Sequence, residues 1–219
     1  MKLMVKKAII LDVAHGKDVK GKASPDGIFR EWEWSRQTAR RLMTRIIAKN
    51  PKYSVICPYL SYRDEPGLLT RVKKYNDICK GYHETIVLSI HNNAAPKNLC
   101  DKDGWNDKIR GIEFYTPRGE TKADEYCTLL YNRFKKNMPN EKYRTGYWLG
   151  KGEKIKDPDK EANFIVIAGH GDVKPKYFGI LLEIKFMTSH ADVEDLTNYS
   201  WLKRFDLTML KCMDEINKA

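Results

Sequence analysis

The sequence predicts an α/β fold: a single domain on one mostly parallel or mixed twisted sheet, with helices on both faces. Three observations carry this. Short apolar runs alternate along the chain with longer segments of helical period. The runs are apolar almost throughout rather than at every second position, as strands covered on both sides are. Neither an internal repeat nor a low-complexity linker interrupts the 219 residues, a length suited to one domain.

The elements follow in order. Residues 7–13 ("KAIILDV") read as a strand. Residues 31–50 read as a helix, because Ala39, Leu42, Met43, Ile46 and Ile47 recur at helical spacing. Residues 53–59 ("YSVICPY") form a second strand, and 67–81 a second helix with Gly81 as its C-cap. Residues 84–93 ("ETIVLSIHNN") and 111–116 ("GIEFYT") are strands, and 120–137 is a third helix. A short strand is expected within 143–150, then a charged surface loop over 151–162. The run 163–168 ("NFIVIA") fits either type. Residues 177–186 ("YFGILLEIKF") are a strand, and about 200–217 the last helix.

Composition narrows the function. Hydrophobic residues make up 42% and charged residues 32%, the balance of a folded globular protein. No apolar run approaches the roughly 20 residues of a membrane helix. Lys2, Lys6 and Lys7 precede "AIILDVA" as in an export signal, but Asp12 breaks the apolar run, so the segment reads as a first strand. The five cysteines contain no C-x-x-C pair, which argues for reduced, mostly buried thiols. A net charge of +11 suits a polyanionic partner. The basic residues are dispersed and no nucleic-acid-binding motif accompanies them, so nucleic acid is not the expected partner. A cell wall bearing carboxylates and phosphates satisfies the same charge.

In open α/β sheets, ligands gather beyond the carboxyl ends of the strands. "ILDVAH" delivers His15 there, "VLSIHNN" delivers His91, and "GILLE" delivers Glu183. Glu31 opens the first helix, where negative charge is favoured, and the turn-rich loop before it can fold back onto His15. Two histidines, one carboxylate and an open fourth position make a catalytic zinc site. Each histidine alone reads equally as a turn residue, and the H-E-x-x-H motif is absent. Glu183 reads either as an ion-pair partner of Lys185 or as a carboxylate placed to move a proton beside a metal.

In this order the motifs resemble the zinc-dependent N-acetylmuramoyl-L-alanine amidases, the group that includes bacterial cell-separation amidases and many phage endolysins. "LDVAHGKD" is similar to the family's opening Asp-x-Gly-His-Gly strand end. "SPDGIFREWEWSRQTARRL" resembles the segment carrying the ligand glutamate, and "YRDEPGLLTRVKKYNDI" the segment after it. "VLSIHNNAA", "RGIEFYT" and "GILLEIKFMTSHAD" resemble the later strands.

The resemblance implies His15, Glu31 and His91 as ligands of one zinc ion, and Glu183 as the catalytic general base and acid. It implies hydrolysis of the amide joining N-acetylmuramic acid to L-alanine in peptidoglycan. It covers about 190 residues, so 1–219 is expected to be one catalytic domain without a separate wall-binding module. Without an export signal, such an enzyme is expected to be made in the cytoplasm and to reach the wall on release or lysis, as an endolysin does. A zinc peptidase cutting the stem peptide and a non-catalytic polyanion-binding protein are the rivals.

Glu33 is the alternative to Glu31, which is preferred because it stands four residues before Ser35, as in the family. Ala14 replaces a usual Gly, Ser189 replaces a common Asn, and no Pro precedes the last strand. His170 reads as a loop residue near the substrate groove, and His83 and His190 as surface residues. Asp12 either orients His15 or merely ends its strand. Trp32, Trp105 and Trp148 are candidates for stacking on sugar or peptide, and packing on a loop is their alternative.

Overall fold

β1 (Val5–Val13) is the second strand of a six-stranded sheet with the order β2-β1-β3-β8-β4-β7. A computed structural model describes residues 5–48, 54–146, 148–149, 153–154 and 157–219. β2 (Ser54–Ile56), β1, β3 (Tyr82–Asn93) and β8 (Phe178–Phe186) are parallel. β4 (Ile112–Thr116) runs antiparallel to β8, and β7 (Lys160–Glu161) lies parallel to β4 at the edge. β5 (Trp148–Leu149) and β6 (Glu153–Lys154) form a separate antiparallel pair.

Both faces of the sheet are covered. Lys7 and Glu84 point toward Tyr126 of α3 (Lys122–Asn137), so even positions of β3 and odd positions of β1 face α3 and α6 (Tyr199–Lys218). α1 (Glu31–Ala48) and α5 (His190–Thr197) pack against α6 on that side. On α6, Trp201, Phe205, Met209, Cys212, Met213 and Ile216 are buried at helical spacing. The opposite face meets α2 (Leu68–Cys79) and α4 (Ile165–Ala168). Gly179 has no Cβ because one would stand 2.8 Å from Ile167 Cα, so α4 lies directly on the amino half of β8. Each large apolar side chain sealed between these layers contributes about 1.5–3 kcal/mol.

Several elements differ from the sequence reading. The second strand stops at Ile56, before Pro58, which has no N–H for a ladder. Residue 53, the start of the expected strand, and residues 49–50, the end of the expected helix, lie outside the described residues. α2 closes without a left-handed glycine: Lys80 N–H bonds Asp77 O at 3.3 Å and Gly81 N–H bonds Ile78 O at 3.0 Å. The charged stretch 151–162 is not all loop, since β6 and β7 fall within it and Asp159 is buried, accepting a bond from Thr116 Oγ1 at 2.5 Å. The run 163–168 contains the short helix α4, and α5 had no sequence signal of its own. Ser189, replacing the family's Asn, caps α5 by accepting the Asp192 N–H. All five cysteines are free: Cys127 and Cys212 are buried, the other three half-buried. Among the described residues, no helix is long and apolar enough to cross a membrane.

Candidate metal centre

β1 ends in a sharp step. His15 takes a left-handed backbone (φ 42), so the turn falls on the histidine and not on Ala14. Ala14 therefore needs no glycine; it is buried, its N–H bonds Ser35 Oγ and its carbonyl accepts from Arg36. Gly16 does need to be glycine, because a Cβ there would stand 2.3 Å from Glu65 N. The chain so turned brings the His15 ring to 5.0 Å from that of His91, edge to face.

Glu31 arrives from the start of α1 and lies between them. Its Oε1 is 2.9 Å from His91 Nδ1 and accepts the Asn92 N–H at 3.1 Å. Its Oε2 is 3.6 Å from His15 Nε2, too long for a hydrogen bond, and is buried with no hydrogen-bond partner. One ligand atom from each of His15, Glu31 and His91 lies within 4.8 Å of the others. Two imidazoles, a carboxylate and an orphaned buried oxygen suit a zinc-like cation. Glu33, two residues on and about 200° around the helix, is exposed and accepts a bond from Gln37 instead.

Burial and mutual contacts shift all three groups. Burial pushes the His15 pKa down to about 4, leaving the ring neutral and able to donate a lone pair. Burial opposes charge on Glu31 as well, yet the bond from His91 and the nearby rings hold its carboxyl low. Burial lowers His91, but the bond and charge of Glu31 outweigh it and leave its pKa raised.

Glu183 lies in register with His91 across β3 and β8, and with Glu113 across β8 and β4. Residues opposite one another point to the same face, so the three form a row on the side of α2 and α4, beyond the point where α4 covers β8. Burial pushes the Glu183 carboxyl up to about 8, and the charges of Glu31 and Glu113 add to the effect. Its Oε2 is sealed and has no hydrogen-bond partner. Glu183 makes no ion pair with Lys185, whose ammonium turns to Glu141, Asp192 and Asp195.

Three neighbours escaped the sequence reading. Glu65 Oε2 stands 3.7 Å from His15 Nδ1, on the side of the ring away from Glu31. Asn92 ties the Glu31 carboxylate to β8 by donating Nδ2 to Ile184 O at 2.5 Å. Glu113 accepts from Arg144, Lys160, Asn93 and Tyr115, and these bonds hold its carboxyl low against burial. A glutamate within the apolar strand "GIEFYT" is the signal that singled out Glu183, and it could have found Glu113.

Other candidates fall elsewhere. Asp12 does not reach His15: Arg71 NH1 at 2.7 Å, Tyr75 OH at 2.5 Å and Ser89 Oγ at 2.5 Å occupy its oxygens. His170 is exposed in a turn closed onto Val173 ahead of β8, at the amino end of the sheet and not beside a groove at the carboxyl end. His83 is exposed at the start of β3; His190 is exposed, pairs with Asp107 and stacks at 3.8 Å on Trp105. Trp32 is half-buried against Arg36, Trp34 packs on Phe29 and Phe205, and the Trp148 side chain lies outside the described residues.

A family profile described as N-acetylmuramoyl-L-alanine amidase matches residues 9–212. No curated protein sequence matches the chain significantly. Among solved structures, the chain is similar to an N-acetylmuramoyl-L-alanine amidase from Clostridium difficile 630, with a TM-score of 0.75, 18% identity and 98% of each chain covered. It is similar also to the catalytic domain of the amidase CwlV from Bacillus (Paenibacillus) polymyxa var. colistinus, with a TM-score of 0.70, 18% identity and coverage of 96% and 97%. A third likeness is to an amidase of Nostoc punctiforme, with a TM-score of 0.70, 15% identity and 97% of each chain covered. These likenesses establish the fold. With the profile match, they put the chain in the class of amidohydrolases, enzymes that cut amide bonds with water. Within that class it belongs to the N-acetylmuramoyl-L-alanine amidase family.

Proposed function

We propose that this chain is a zinc-dependent N-acetylmuramoyl-L-alanine amidase that cleaves the amide between the lactyl group of N-acetylmuramic acid and L-alanine in peptidoglycan. One observation carries the reading: donor atoms of His15, Glu31 and His91 converge within 4.8 Å while Glu183 stands in register beside His91. His15, Glu31 and His91 would hold the ion. Bound there, zinc supplies a Lewis acid that polarises a carbonyl and makes water nucleophilic at neutral pH.

The chain's own residues do the rest. Neutral His15 and ionised Glu31 are already in the protonation states that ligation needs, whereas His91, its pKa raised by Glu31, gives up a proton to ligate. Glu183 takes the proton from the attacking water at a carboxylate oxygen and returns it to the departing L-alanine nitrogen, so that the product leaves as an amine. Its burial favours the protonated form, which suits the second transfer, and a cation held by the triad would favour the ionised form needed for the first. Asn92 braces Glu31 through its N–H, and the Glu65 carboxyl faces His15 Nδ1 from 3.7 Å on the far side of the ring.

The net charge of +11 suits a wall polymer rich in carboxylates and phosphates, and a lytic role of the endolysin type is part of the proposal. Purified peptidoglycan digested by the chain tests it. Stem peptides with a free L-alanine amine, and glycan retaining intact lactyl groups, are the expected products. Opened cross-links with intact lactyl-alanine bonds would replace the amidase by a stem-peptide zinc peptidase. Binding without any cleavage, unaffected by chelator, would replace it by a polyanion-binding protein.

A further inference from the structure

Among the described residues, His15 and Lys185 are the non-glycine residues with a left-handed backbone. His15 belongs to the centre already described. Lys185 (φ 68) lies two residues beyond Glu183 and has no part in the chemistry proposed there. This conformation is disfavoured for any residue with a Cβ, so something else must hold the chain in it.

The register shows what the conformation achieves. β3 and β8 pair in step up to His91 and Glu183, then resume at Asn93 and Phe186. β8 thus carries one extra residue, and the bulge begins directly after Glu183. Bulges re-aim the side chains beside them.

The bulge is held on both faces. From β3, Asn92 Nδ2 donates to Ile184 O at 2.5 Å, while the Asn92 N–H donates to Glu31. From α5, Asp192 Oδ2 accepts the Phe186 N–H at 2.9 Å and the Gly111 N–H at 2.7 Å. Between them the Lys185 ammonium sits 2.5 Å from Glu141 Oε2, 2.6 Å from Asp195 Oδ2 and 3.4 Å from Asp192 Oδ1. It also lies over the Trp201 ring, and Lys185 is only 3% exposed. The turn after α3, helix α5 and helix α6 therefore converge on one buried cation that belongs to the bulge.

We propose that Lys185 is a positioning residue for the hydrolysis: its ammonium, clamped by Glu141, Asp192 and Asp195, locks the β8 bulge that aims Glu183 at the His15–Glu31–His91 cluster. This rests on the reading of Glu183 as the group that moves the proton. Lys185 touches no substrate and no reacting atom; it acts through the backbone of residues 184–186.

The test uses the full chain carrying Lys185→Gly, which relieves the left-handed strain and removes the clamp, Lys185→Arg, which restores a cation, and Asp195→Asn, which removes the most exposed clamp carboxylate. Three quantities are read: kcat and KM on a soluble muramyl-peptide, zinc affinity, and the titration midpoint of the Glu183 carboxyl by carbon NMR of the metal-free protein. Lys185→Gly is expected to lower kcat about 10- to 100-fold, with KM and zinc affinity within about twofold of the parent and a displaced Glu183 midpoint. Lys185→Arg is expected to recover most of the kcat, and Asp195→Asn to fall between. A folded Lys185→Gly with unchanged kcat and an unmoved Glu183 midpoint overturns the proposal. Where Lys185→Gly does not fold, Asp195→Asn decides by the same readouts. If the parent chain cleaves no muramyl amide, the functional reading fails by itself, and the Glu183 midpoint still tells whether Lys185 sets its surroundings.

Discussion

His91 and Glu183 stand opposite each other on adjacent parallel strands, one hydrogen-bonded to Glu31 and the other with a sealed, unpartnered oxygen. The pairing puts a group of metal-ligand chemistry and a group of proton-transfer chemistry about 5 Å apart at the backbone, without any loop between them. The distance is fixed by the pairing of β3 with β8.

Replacing Glu183 separates chemistry from stability. Glu183→Gln is expected to lower kcat by about 10²–10⁴-fold, with zinc bound as in the parent. Because Oε2 has no partner to lose, the melting temperature is expected to hold or rise. Steady-state kinetics beside a thermal melt check both halves.

Removing a ligand differs from removing its support. His91→Ala is expected to abolish stoichiometric zinc binding by titration calorimetry. Glu65→Gln, which keeps the shape behind His15 but removes the charge 3.7 Å from its Nδ1, is expected to weaken zinc by about tenfold.

Acid stability is expected to depend on Glu84, far from the centre. Burial disfavours its charge, yet hydrogen bonds from Lys122, Tyr126 and Lys7 outweigh this and bring its pKa from 4.5 down to about 2. A lowered carboxylate pKa adds stability that is fully present above pH 4.5 and fades as pH falls toward 2. Glu84→Gln is expected to cost about 1–2 kcal/mol at pH 7, after allowance for solvent at this partly hydrated cluster. The difference from the parent is expected to shrink as pH falls below about 4, read by urea melts across the acid range.

The Asp12–Arg71 pair is the buried charge pair on the α2 face, with both side chains at most 2% exposed. Asp12→Ala takes from Arg71 its shortest ion pair, leaving the 3.3 Å contact with Glu65, strips the Tyr75 and Ser89 hydroxyls of their acceptor, and is expected to cost about 3–5 kcal/mol. Zinc affinity at moderate temperature is expected to change little, since Glu65, which stands beside His15, keeps its contact with Arg71.

The strand ends that bear His15, His91 and Glu183 were legible because each closes a run too apolar to be anything but a buried strand. Their convergence was legible because parallel strands present their carboxyl ends at one edge. Choosing Glu31 over Glu33 needed the helix orientation, which spacing alone does not fix. The role of Asp12 stayed open in the sequence because its partners, Arg71 and Tyr75, come from α2, about 60 residues away. β6 and β7 were invisible because two-residue strands carry no period. α5 was invisible because its eight residues, about two turns, leave only Asp192 and Leu196 buried. The bulge after Glu183 left no mark either, since lysine is not the residue a left-handed step ordinarily selects.

The central claim is that His15, Glu31 and His91 share one metal ion beside Glu183. Anomalous diffraction at the zinc edge, from crystals grown with zinc, tests it most directly. The account predicts a single strong peak in contact with one atom of each of the three residues, lost in His91→Ala. A peak at any other set of side chains, or none at the triad in crystals of active protein, would contradict it.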